Sequence, residues 1–402
     1  MKVVIAGGGI TGLETLMALR DLAGDRVDVT LVAPQPDFVY KPLLVSEPFT
    51  SVPAERHELA PLVQEFGAAF VQEGVAAVRP DDHQVELSGG SSLDYDALVV
   101  CVGATPEPAY RNAVTFRISG RPLGLDEILG EGEEPGRIAF VLPPGPAWPL
   151  PVYELALMTQ RAAHDRGREG LSFVIVTPEP GPLAMFGPGA SSAVAEVIKS
   201  RGIEVVSGKR VVEAGGGFEL MPGGERLEAD RVVSLPVLRG PSVEGLPADE
   251  NGFLPIDDFA RVKGVEDVYA AGDGANFPVK HGGIGTQEAD AAAEDIAARA
   301  GASIDPQPFH PVIRGQLILG DESLNLQADL TGGAGEGMVS PDYLWWPPHK
   351  VGGRYLAAWL GGTEPHADMK PPSGGMDVEV LMPKDWHVEP MALEPYGPAE
   401  IN

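Results

Sequence analysis

The chain has 402 residues, and 58 acidic side chains against 29 basic ones give it a formal net charge of −29. This length accommodates two or three domains with substantial cores. The negative charge argues against nucleic acids and anionic membrane surfaces as partners, because both are negatively charged themselves. The single cysteine, Cys101, excludes an intrachain disulfide.

The first predicted element is a strand at residues 3–6, followed by the run Gly-Gly-Gly-Ile-Thr-Gly at residues 7–12. In such a run, Gly7 permits a tight turn, Gly9 lets the backbone approach a pyrophosphate, and Gly12 lets the next helix pack closely on the strand. The phosphate then lies at the N-terminus of that helix. The spacing alone is a weak indicator, but its position between a strand and a helix favours a dinucleotide site.

Residues 27–32 alternate as a second strand, and Ala33 follows it. A dinucleotide fold normally has an acidic residue here, which binds the adenosine ribose. Asp37 is the nearest acid, four residues further on in a turn. Three explanations stay open: the backbone alone holds the ribose, the affinity is reduced, or a different nucleotide binds.

The next predicted elements belong to the same half of the chain. Residues 73–78 and 85–87 predict a small antiparallel layer, and residues 95–102 predict an apolar strand that ends in a small-residue turn. Cys101 lies in this strand, where we expect it to serve as a small core residue.

A second α/β unit follows, with the strand–helix alternation of a nicotinamide-binding domain. Its predicted elements are a strand at 137–142, a helix at 153–166, a strand at 171–177, a helix at 189–201 and a strand at 203–206. The chain then returns to the first unit, with a strand that ends in Gly272-Asp273 and a helix at 286–300. An aromatic-rich C-terminal interface region comes next. The last part is an acidic, proline-rich tail that we expect to be extended or partly disordered.

Three motifs occur in this order along the chain: the glycine run at 7–12, the apolar strand at 95–102 with its small-residue turn, and the strand that ends in Gly272-Asp273. Together they resemble the flavoproteins with two dinucleotide-binding domains. The chain is most similar to the branch that holds sulfide:quinone oxidoreductases, flavocytochrome c sulfide dehydrogenases and type II NADH dehydrogenases. The resemblance implies an α/β fold of tandem Rossmann-like FAD/NAD(P)-binding domains with a C-terminal interface region. The implied divisions are an FAD-binding domain at 1–110 and 241–305, a nicotinamide-domain-like unit at 111–240, the interface region at 306–362 and the tail at 363–402.

The resemblance also implies non-covalently bound FAD and assigns residues to it. Asp273 matches the family residue that binds the ribityl chain, and residues 38–44 match the segment beneath the isoalloxazine. The full set of implied cofactor residues is Gly7, Gly9, Ile10, Thr11, Gly12, Ala33, Lys41, Val75, Gly103, Ala104, Gly272, Asp273, Gly283 and Thr286. No metal site is predicted.

Three further residues are candidates for catalysis: Lys280, His281 and Lys350. The two lysines match family lysines near the isoalloxazine, where they would tune the potential or protonation of the flavin; the alternative is a surface salt bridge for each. His281 is a possible proton donor, but a lone histidine is more often structural.

Two departures from the family pattern limit the function. The loop at 143–151 contains five prolines, which have no N–H for a phosphate, and Trp148 adds bulk where a nicotinamide dinucleotide would bind. Trp148 also stands where the sulfide-oxidising branch has a redox cysteine, and residues 344–348 lack the second one. Sulfide chemistry needs a thiolate or disulfide near the flavin, so we expect neither NADH nor sulfide to be a good donor.

The sequence therefore predicts an FAD-dependent oxidoreductase that passes electrons from an unidentified donor to a quinone or small acceptor. Trp148, Trp345 and Trp346 either line an apolar acceptor pocket or pack in the ordinary way. The alternatives are a non-catalytic flavin-binding sensor or assembly protein and a degenerate type II NADH dehydrogenase. With no signal peptide pattern and no run of eighteen apolar residues, we expect a cytoplasmic protein, and a homodimer is possible.

Overall fold

The computed structural model describes residues 1–52, 54–116, 123–130, 136–330 and 337–363. The acidic tail predicted at 363–402 lies outside the described residues from 364 onward. Among the described residues, no helix combines the length and the apolar composition that are needed to span a bilayer.

The first unit is built on a five-stranded parallel sheet, in which the edge strand β20 (Val268–Ala270) comes from the third part of the chain. The strand order is β20-β9-β1-β2-β5. The chain first forms β1 (Lys2–Ala6), α1 (Ile10–Leu22), β2 (Asp28–Val32), β3 (Asp37–Val39), β4 (Arg56–Glu58), α2 (Leu59–Glu65), β5 (Ala69–Val71), β6 (Val75–Arg79), β7 (Gln84–Leu87), β8 (Ser92–Asp94), β9 (Ala97–Val100) and β10 (Thr105–Glu107). The central strands β1 and β9 are almost continuously apolar and buried, as expected for strands covered on both faces. The predicted antiparallel layer is β6-β7-β8. Cys101 follows β9 rather than lying in it.

The second unit contains a parallel sheet with the order β11-β18-β12-β13-β14. Its elements are β11 (Val114–Thr115), α3 (Leu125–Leu129), β12 (Gly136–Val141), α4 (Leu150–Asp165), β13 (Leu171–Val176), α5 (Pro188–Ser200), β14 (Glu204–Val206), β15 (Arg210–Ala214), β16 (Gly217–Met221), β17 (Glu225–Arg226), β18 (Arg231–Ser234) and β19 (Val237–Arg239). The predicted β-α-β-α-β succession is therefore present. Helix α4 begins three residues before its predicted start, because Pro151 at its second position loses no hydrogen bond.

The third part of the chain returns to the first sheet and then covers both units. Its elements are β20 (Val268–Ala270), α6 (Gly282–Arg299), β21 (Val312–Ile318), β22 (Ser323–Asp329), β23 (Met338–Ser340) and α7 (Leu356–Gly361). Strand β20 pairs in parallel with β9, although about 170 residues separate them. Strands β21 and β22 pack into the core of the second unit, and α7 packs into the core of the first. The domain boundaries given above stay predictions.

Helix α6 begins four residues before its predicted start at Thr286. The sequence there is glycine-rich, which disfavours a helix. The fold overrides this preference because the glycines allow α6 to pack closely: a Cβ on Gly285 would lie 2.8 Å from Thr11 Oγ1, on α1. The N-termini of α1 and α6 therefore meet at the carboxyl edge of the first sheet.

Candidate functional site

Three glycines lie in the turn after β1 and in the first turn of α1, and each has a different structural role. Gly7 has φ of 124°, and a Cβ there would collide with the backbone of Cys101. A Cβ on Gly12 would collide with the carbonyl oxygen of Gly7, so α1 can approach the turn only with glycine at this position. A Cβ on Gly9 would have no protein atom within 4 Å. The backbone at Gly9 thus faces open space at a helix N-terminus, an arrangement that fits a pyrophosphate.

The second predicted FAD motif lies against the first. Gly272 has φ of 84°, and a Cβ on it would lie 2.5 Å from Thr11 Oγ1. Asp273 follows in the same turn, where burial raises the pKa of its carboxyl while Lys280 and Lys41 oppose that shift. The turn after β20 and the start of α1 therefore form one continuous wall.

The other predicted cofactor residues lie around the same edge of the sheet. Thr286 Oγ1 donates to the carbonyl oxygen of Gly283, 3.0 Å away, in the first turns of α6. Gly103 and Ala104 follow β9, Val75 begins β6, and Ile10 begins α1. None of these placements by itself tests cofactor contact, so the assignments stay predictions.

Ala33 occupies the position after β2 where a dinucleotide fold usually has the acid that binds the adenosine ribose. Ala33 follows β2 and is 2% exposed. Leu59 lies close by, since a Cβ on Gly8 would touch both Leu59 and Ala33. Asp37 is instead paired through its backbone with Glu58, in the β3–β4 ribbon.

A cleft with a cavity volume of about 110 Å³ lies at the N-terminus of α6, between the first unit, α4 and the C-terminal region. Its apolar lining includes Pro42, Val45, Phe116 and Leu150. Its polar and aromatic lining includes Lys41, Trp148, Glu154, Lys280, His281 and Lys350. The fold therefore brings all three catalytic candidates together. Trp148 is the predicted tryptophan that lines this cleft, whereas Trp345 is buried with its Nε1 donating to His349, and Trp346 is 39% exposed.

Lys350 and Glu154 form a buried ion pair on the wall of the cleft. Lys350 Nζ also donates to the carbonyl oxygen of Gln316, 3.0 Å away, and Ile318 N donates to Glu154 Oε1 at 2.9 Å. Glu154 Oε2 has no partner among the described residues. Burial raises the pKa of Glu154 and lowers that of Lys350, and the ion pair opposes both shifts. The alternative of a surface salt bridge for Lys350 is wrong, and Glu154 is a residue that the sequence interpretation missed.

Lys280 is also buried rather than at the surface. Its Nζ donates to the carbonyl oxygen of Ala275 and lies 3.8 Å from the centroid of the Phe253 ring, which allows a cation–π contact. Burial lowers the pKa of Lys280 to about 8, and Asp273 is the largest influence in the opposite direction.

His281 caps the N-terminus of α6, where Trp148 packs against it with ring centroids 4.1 Å apart. The imidazole is buried, and Nδ1 has no partner within the described part of the chain. Burial lowers its pKa to about 3, with further lowering by Lys350 and Arg314. His281 is therefore neutral at physiological pH, and it adds no positive charge to the cleft.

The crevice of the second unit has a different construction. Tyr153, on α4, donates to Glu179 Oε2 at 2.6 Å, and Thr177 Oγ1 donates to the same oxygen at 3.0 Å. Glu179 follows β13, where a dinucleotide fold normally has the ribose-binding acid. Its carboxylate is thus occupied by the protein's own donors, and the helix that would face a pyrophosphate has prolines at 149 and 151.

Cys101 is the only thiol of the chain. It is buried directly behind the Gly7 turn, with its Sγ 4.0 Å from Thr15 Oγ1. Burial raises its pKa to about 12, so the thiolate is not available at neutral pH. Among the described residues, no group of three or more His, Cys, Asp or Glu side chains is arranged to hold a metal.

Comparisons with known proteins agree with this geometry. A family model described as "Pyridine nucleotide-disulphide oxidoreductase" matches residues 1–141 and 153–294. The interruption at 142–152 coincides with the proline-rich loop that carries Trp148. The sulfide-quinone reductase of Aquifex aeolicus is 28% identical over 285 residues, which cover 67% of this chain and 61% of that protein.

A second relative and a solved structure also match this chain. An NADH dehydrogenase-like protein of Mycobacterium tuberculosis is 28% identical over 313 residues, which cover 68% of this chain and 72% of that protein. The X-ray structure of the Aquifex aeolicus sulfide:quinone oxidoreductase superposes with a TM-score of 0.73 at 22% identity, covering 82% of this chain and 83% of that one. The predicted fold class, tandem Rossmann-like domains, is confirmed by these matches.

Proposed function

The chain belongs to the pyridine nucleotide-disulphide oxidoreductase family, and we propose that it transfers electrons from a donor other than NAD(P)H or sulfide to a quinone or other small acceptor. Membership of this family confirms FAD as the predicted cofactor, and the open backbone at Gly9 fits its pyrophosphate. One observation carries the proposal: the cleft at the N-terminus of α6 brings the predicted flavin residue Lys41 together with an apolar wall and a buried acid–base pair.

FAD, when bound, supplies two-electron transfer, and the protein supplies orientation and electrostatics. The N-terminus of α6 and the side chains of Lys41 and Lys280 contribute positive potential to this cleft, which favours negative charge on a group bound there, whereas the charge of Lys350 is balanced by Glu154. Neutral His281 presents Nδ1 for a hydrogen bond without adding charge.

Glu154 is the group best placed to exchange a proton with a substrate. Its Oε1 is occupied by Lys350 and the backbone, whereas its buried Oε2 has no partner among the described residues and would accept a hydrogen bond from a hydroxyl group that reaches it from the cleft. Trp148, Phe116 and Leu150 provide flat apolar surface for a ring. An aromatic ring with oxygen substituents, such as a quinone or its quinol, matches both features.

Two kinds of donor do not match. Sulfide oxidation requires a reactive thiolate, and the only thiol is buried with a raised pKa. A nicotinamide dinucleotide finds few binding groups in the second crevice, because five prolines in the loop at 143–151 provide no N–H donors and Glu179 already accepts hydrogen bonds from Tyr153 and Thr177. The quinone class is supported by two relatives whose names include a quinone substrate, the Aquifex aeolicus reductase and an alternative NAD(P)H-ubiquinone oxidoreductase of Arabidopsis thaliana.

The proposal is tested by anaerobic reduction of the purified, FAD-loaded protein, followed at the flavin absorbance band. Reduced short-chain quinol, NADH, NADPH and sulfide are added separately, and the reverse reaction is followed by oxidation of the dithionite-reduced protein with quinone. We expect rapid exchange with quinone and slow reduction by the other three. If all these reagents fail while dithionite reduces the flavin readily, the non-catalytic alternative is favoured instead.

A further inference from the structure

Glu288 is a buried carboxyl group behind the Gly272–Asp273 turn, and no predicted FAD contact uses it. It lies on α6 with 1% exposure, and its Oε2 accepts a hydrogen bond from Gly272 N at 2.6 Å. Its Oε1 has no partner among the residues that the structure describes. A buried carboxylate with one unsatisfied oxygen is costly, so this group needs either a proton or a neighbouring cation.

Three ionisable groups interact electrostatically with Glu288. The Lys280 ammonium lowers the pKa of Glu288, and the Asp273 carboxyl raises it. Glu288 in turn raises the pKa of the Cys101 thiol. Lys41 and Asp249 act from further away, on Asp273 and Lys280 respectively.

The charges of this cluster do not balance when all its members are ionised. Glu288 and Asp273 are two carboxylates against the single ammonium of Lys280, whereas one additional proton makes the group neutral. Burial raises the pKa of Glu288 to about 8 and lowers that of Lys280 to about 8. The cluster therefore exchanges a proton close to neutral pH.

We propose that Glu288 takes up a proton when FAD binds, and that it is a positioning residue through which cofactor affinity depends on pH. The inference rests on the proposed function, because it requires FAD in this cleft. FAD brings two phosphate charges to the N-terminus of α1, and an ionised Glu288 repels them through a poorly screened interior. The proton comes from solvent and forms an O–H bond at the carboxyl group, which leaves Oε2 as the acceptor for Gly272 N. Lys280 then remains as the cation of the cleft.

The first test is titration of the apoprotein with FAD, followed by flavin fluorescence, at pH values from about 6 to about 9. In the wild type we expect Kd to rise above about pH 8, approaching tenfold per pH unit. The Glu288→Gln variant keeps an acceptor for Gly272 N but cannot ionise, so its Kd should rise less steeply than that of the wild type, with only the titration of Lys280 remaining. Glu294→Gln is the matched control, because Glu294 lies on the same helix and pairs with Arg354.

The second test needs only the wild type. In weakly buffered solution at pH 8, where about half of the Glu288 carboxyl groups already carry a proton, FAD binding should take up about half a proton per FAD, and at about pH 9 the uptake should approach one proton. Absence of uptake, or an equal pH dependence in Glu288→Gln and the wild type, would overturn the inference. FAD binding that does not vary with pH rejects only the role of Glu288, whereas failure to bind FAD at any pH rejects the proposed function as well.

Discussion

The molecule has two crevices at the carboxyl edges of parallel sheets, and they differ in what occupies them. Beside β1, Gly9 leaves backbone open to solvent at the start of α1. Beside β12, Tyr153 of α4 reaches across and donates to Glu179, so the position of the ribose acid is occupied by protein. The first crevice is open for a nucleotide, and the second is filled by its own side chains.

This difference shows how one βαβ architecture serves two purposes. A dinucleotide needs free N–H donors and empty space at the helix N-terminus, and architecture alone supplies neither. In the second unit, the start of α4 instead directs Trp148 and Glu154 toward the cleft. That unit therefore contributes walls to the cleft, and in the proposed function it also contributes a proton-exchanging group in place of a second nucleotide.

Substitution of the packing glycine should have the largest effect on the first crevice. In Gly12→Val, the side chain collides with the carbonyl oxygen of Gly7, so α1 cannot keep its position. We expect loss of FAD retention together with a lower melting temperature, measured by flavin absorbance and circular dichroism. Gly9→Ala is the matched variant, because its Cβ meets no protein atom. It should fold normally and still bind FAD at least about tenfold more weakly; unchanged FAD binding would contradict the assignment of this crevice.

The contrast between the crevices predicts a large difference in affinity for FAD and NADH. Each phosphate hydrogen bond is worth about 1 kcal/mol or more, and the proline-rich loop lacks five N–H donors. We expect NADH to bind at least about 10³-fold more weakly than FAD. Titration with ADP-ribose and stopped-flow reduction by NADH measure this directly. Saturation at micromolar NADH would show that the second crevice opens, and would favour the NADH dehydrogenase alternative.

The ion pair between the second unit and the C-terminal region is the next point at which the comparison can be tested. Lys350→Met leaves the Glu154 carboxylate buried without its cation, which should destabilise the folded protein by about 3–5 kcal/mol. Denaturant unfolding measures the loss. In the double variant Lys350→Met/Glu154→Gln the uncompensated charge is absent, so most of the stability should return. If the single and double variants are equally unstable, the charge pair is not the cause.

Asp273 tests the first crevice at the other end of the predicted cofactor. The resemblance gives it a hydrogen bond to FAD, and loss of one partner of a buried hydrogen bond costs about 1–3 kcal/mol. Asp273→Ala should therefore weaken FAD binding roughly 5- to 150-fold. Asp37→Ala is the control, because Asp37 lies in the β3–β4 ribbon outside this turn. Equal affinities in the two variants would remove Asp273 from the cofactor site.

The main features of the fold are predictable from the sequence because they depend on local patterns. The glycine run, the alternating strands and the return of the chain at Gly272 all have short-range signals. The early starts of α4 and α6 do not, because Pro151 and the glycines near 283 weaken the helical signal until packing is known.

The site was predictable only in part, for a different physical reason. Lys280, His281 and Lys350 are in recognisable segments, but their burial and their partners come from contacts between residues far apart in sequence. Glu154 and Glu288 were missed because a glutamate in an amphipathic helix is usually exposed. A single carboxylate within a run of apolar residues, as in the Tyr-Glu-Leu-Ala sequence around Glu154, is a signal that a search for buried acids would find.

The smallest expected effect is at the hydrogen bond that closes the second crevice. Tyr153→Phe removes one donor to Glu179 while Thr177 remains, so the stability loss at neutral pH should be about 0.5–1.5 kcal/mol. Burial keeps the pKa of Glu179 in the folded state above its value in the unfolded chain. The hydrogen bond from Tyr153 opposes this shift by lowering the pKa. Its removal raises the folded pKa further. Because the folded state then retains its proton to higher pH, the stability of the variant relative to the wild type should fall as pH rises from about 4.5 toward neutrality.

Urea unfolding of both proteins across this pH range measures the difference, with Tyr110→Phe as the control, since Tyr110 donates to a backbone carbonyl of Val211 rather than to a carboxylate. The same samples show whether the hydrogen bond alone excludes the dinucleotide. We expect NADH binding to stay weak in Tyr153→Phe, because the prolines at the start of α4 still provide no phosphate donors. A gain of micromolar NADH affinity from this one substitution would mean that the Tyr153 hydroxyl, and not the proline-rich loop, separates the two crevices.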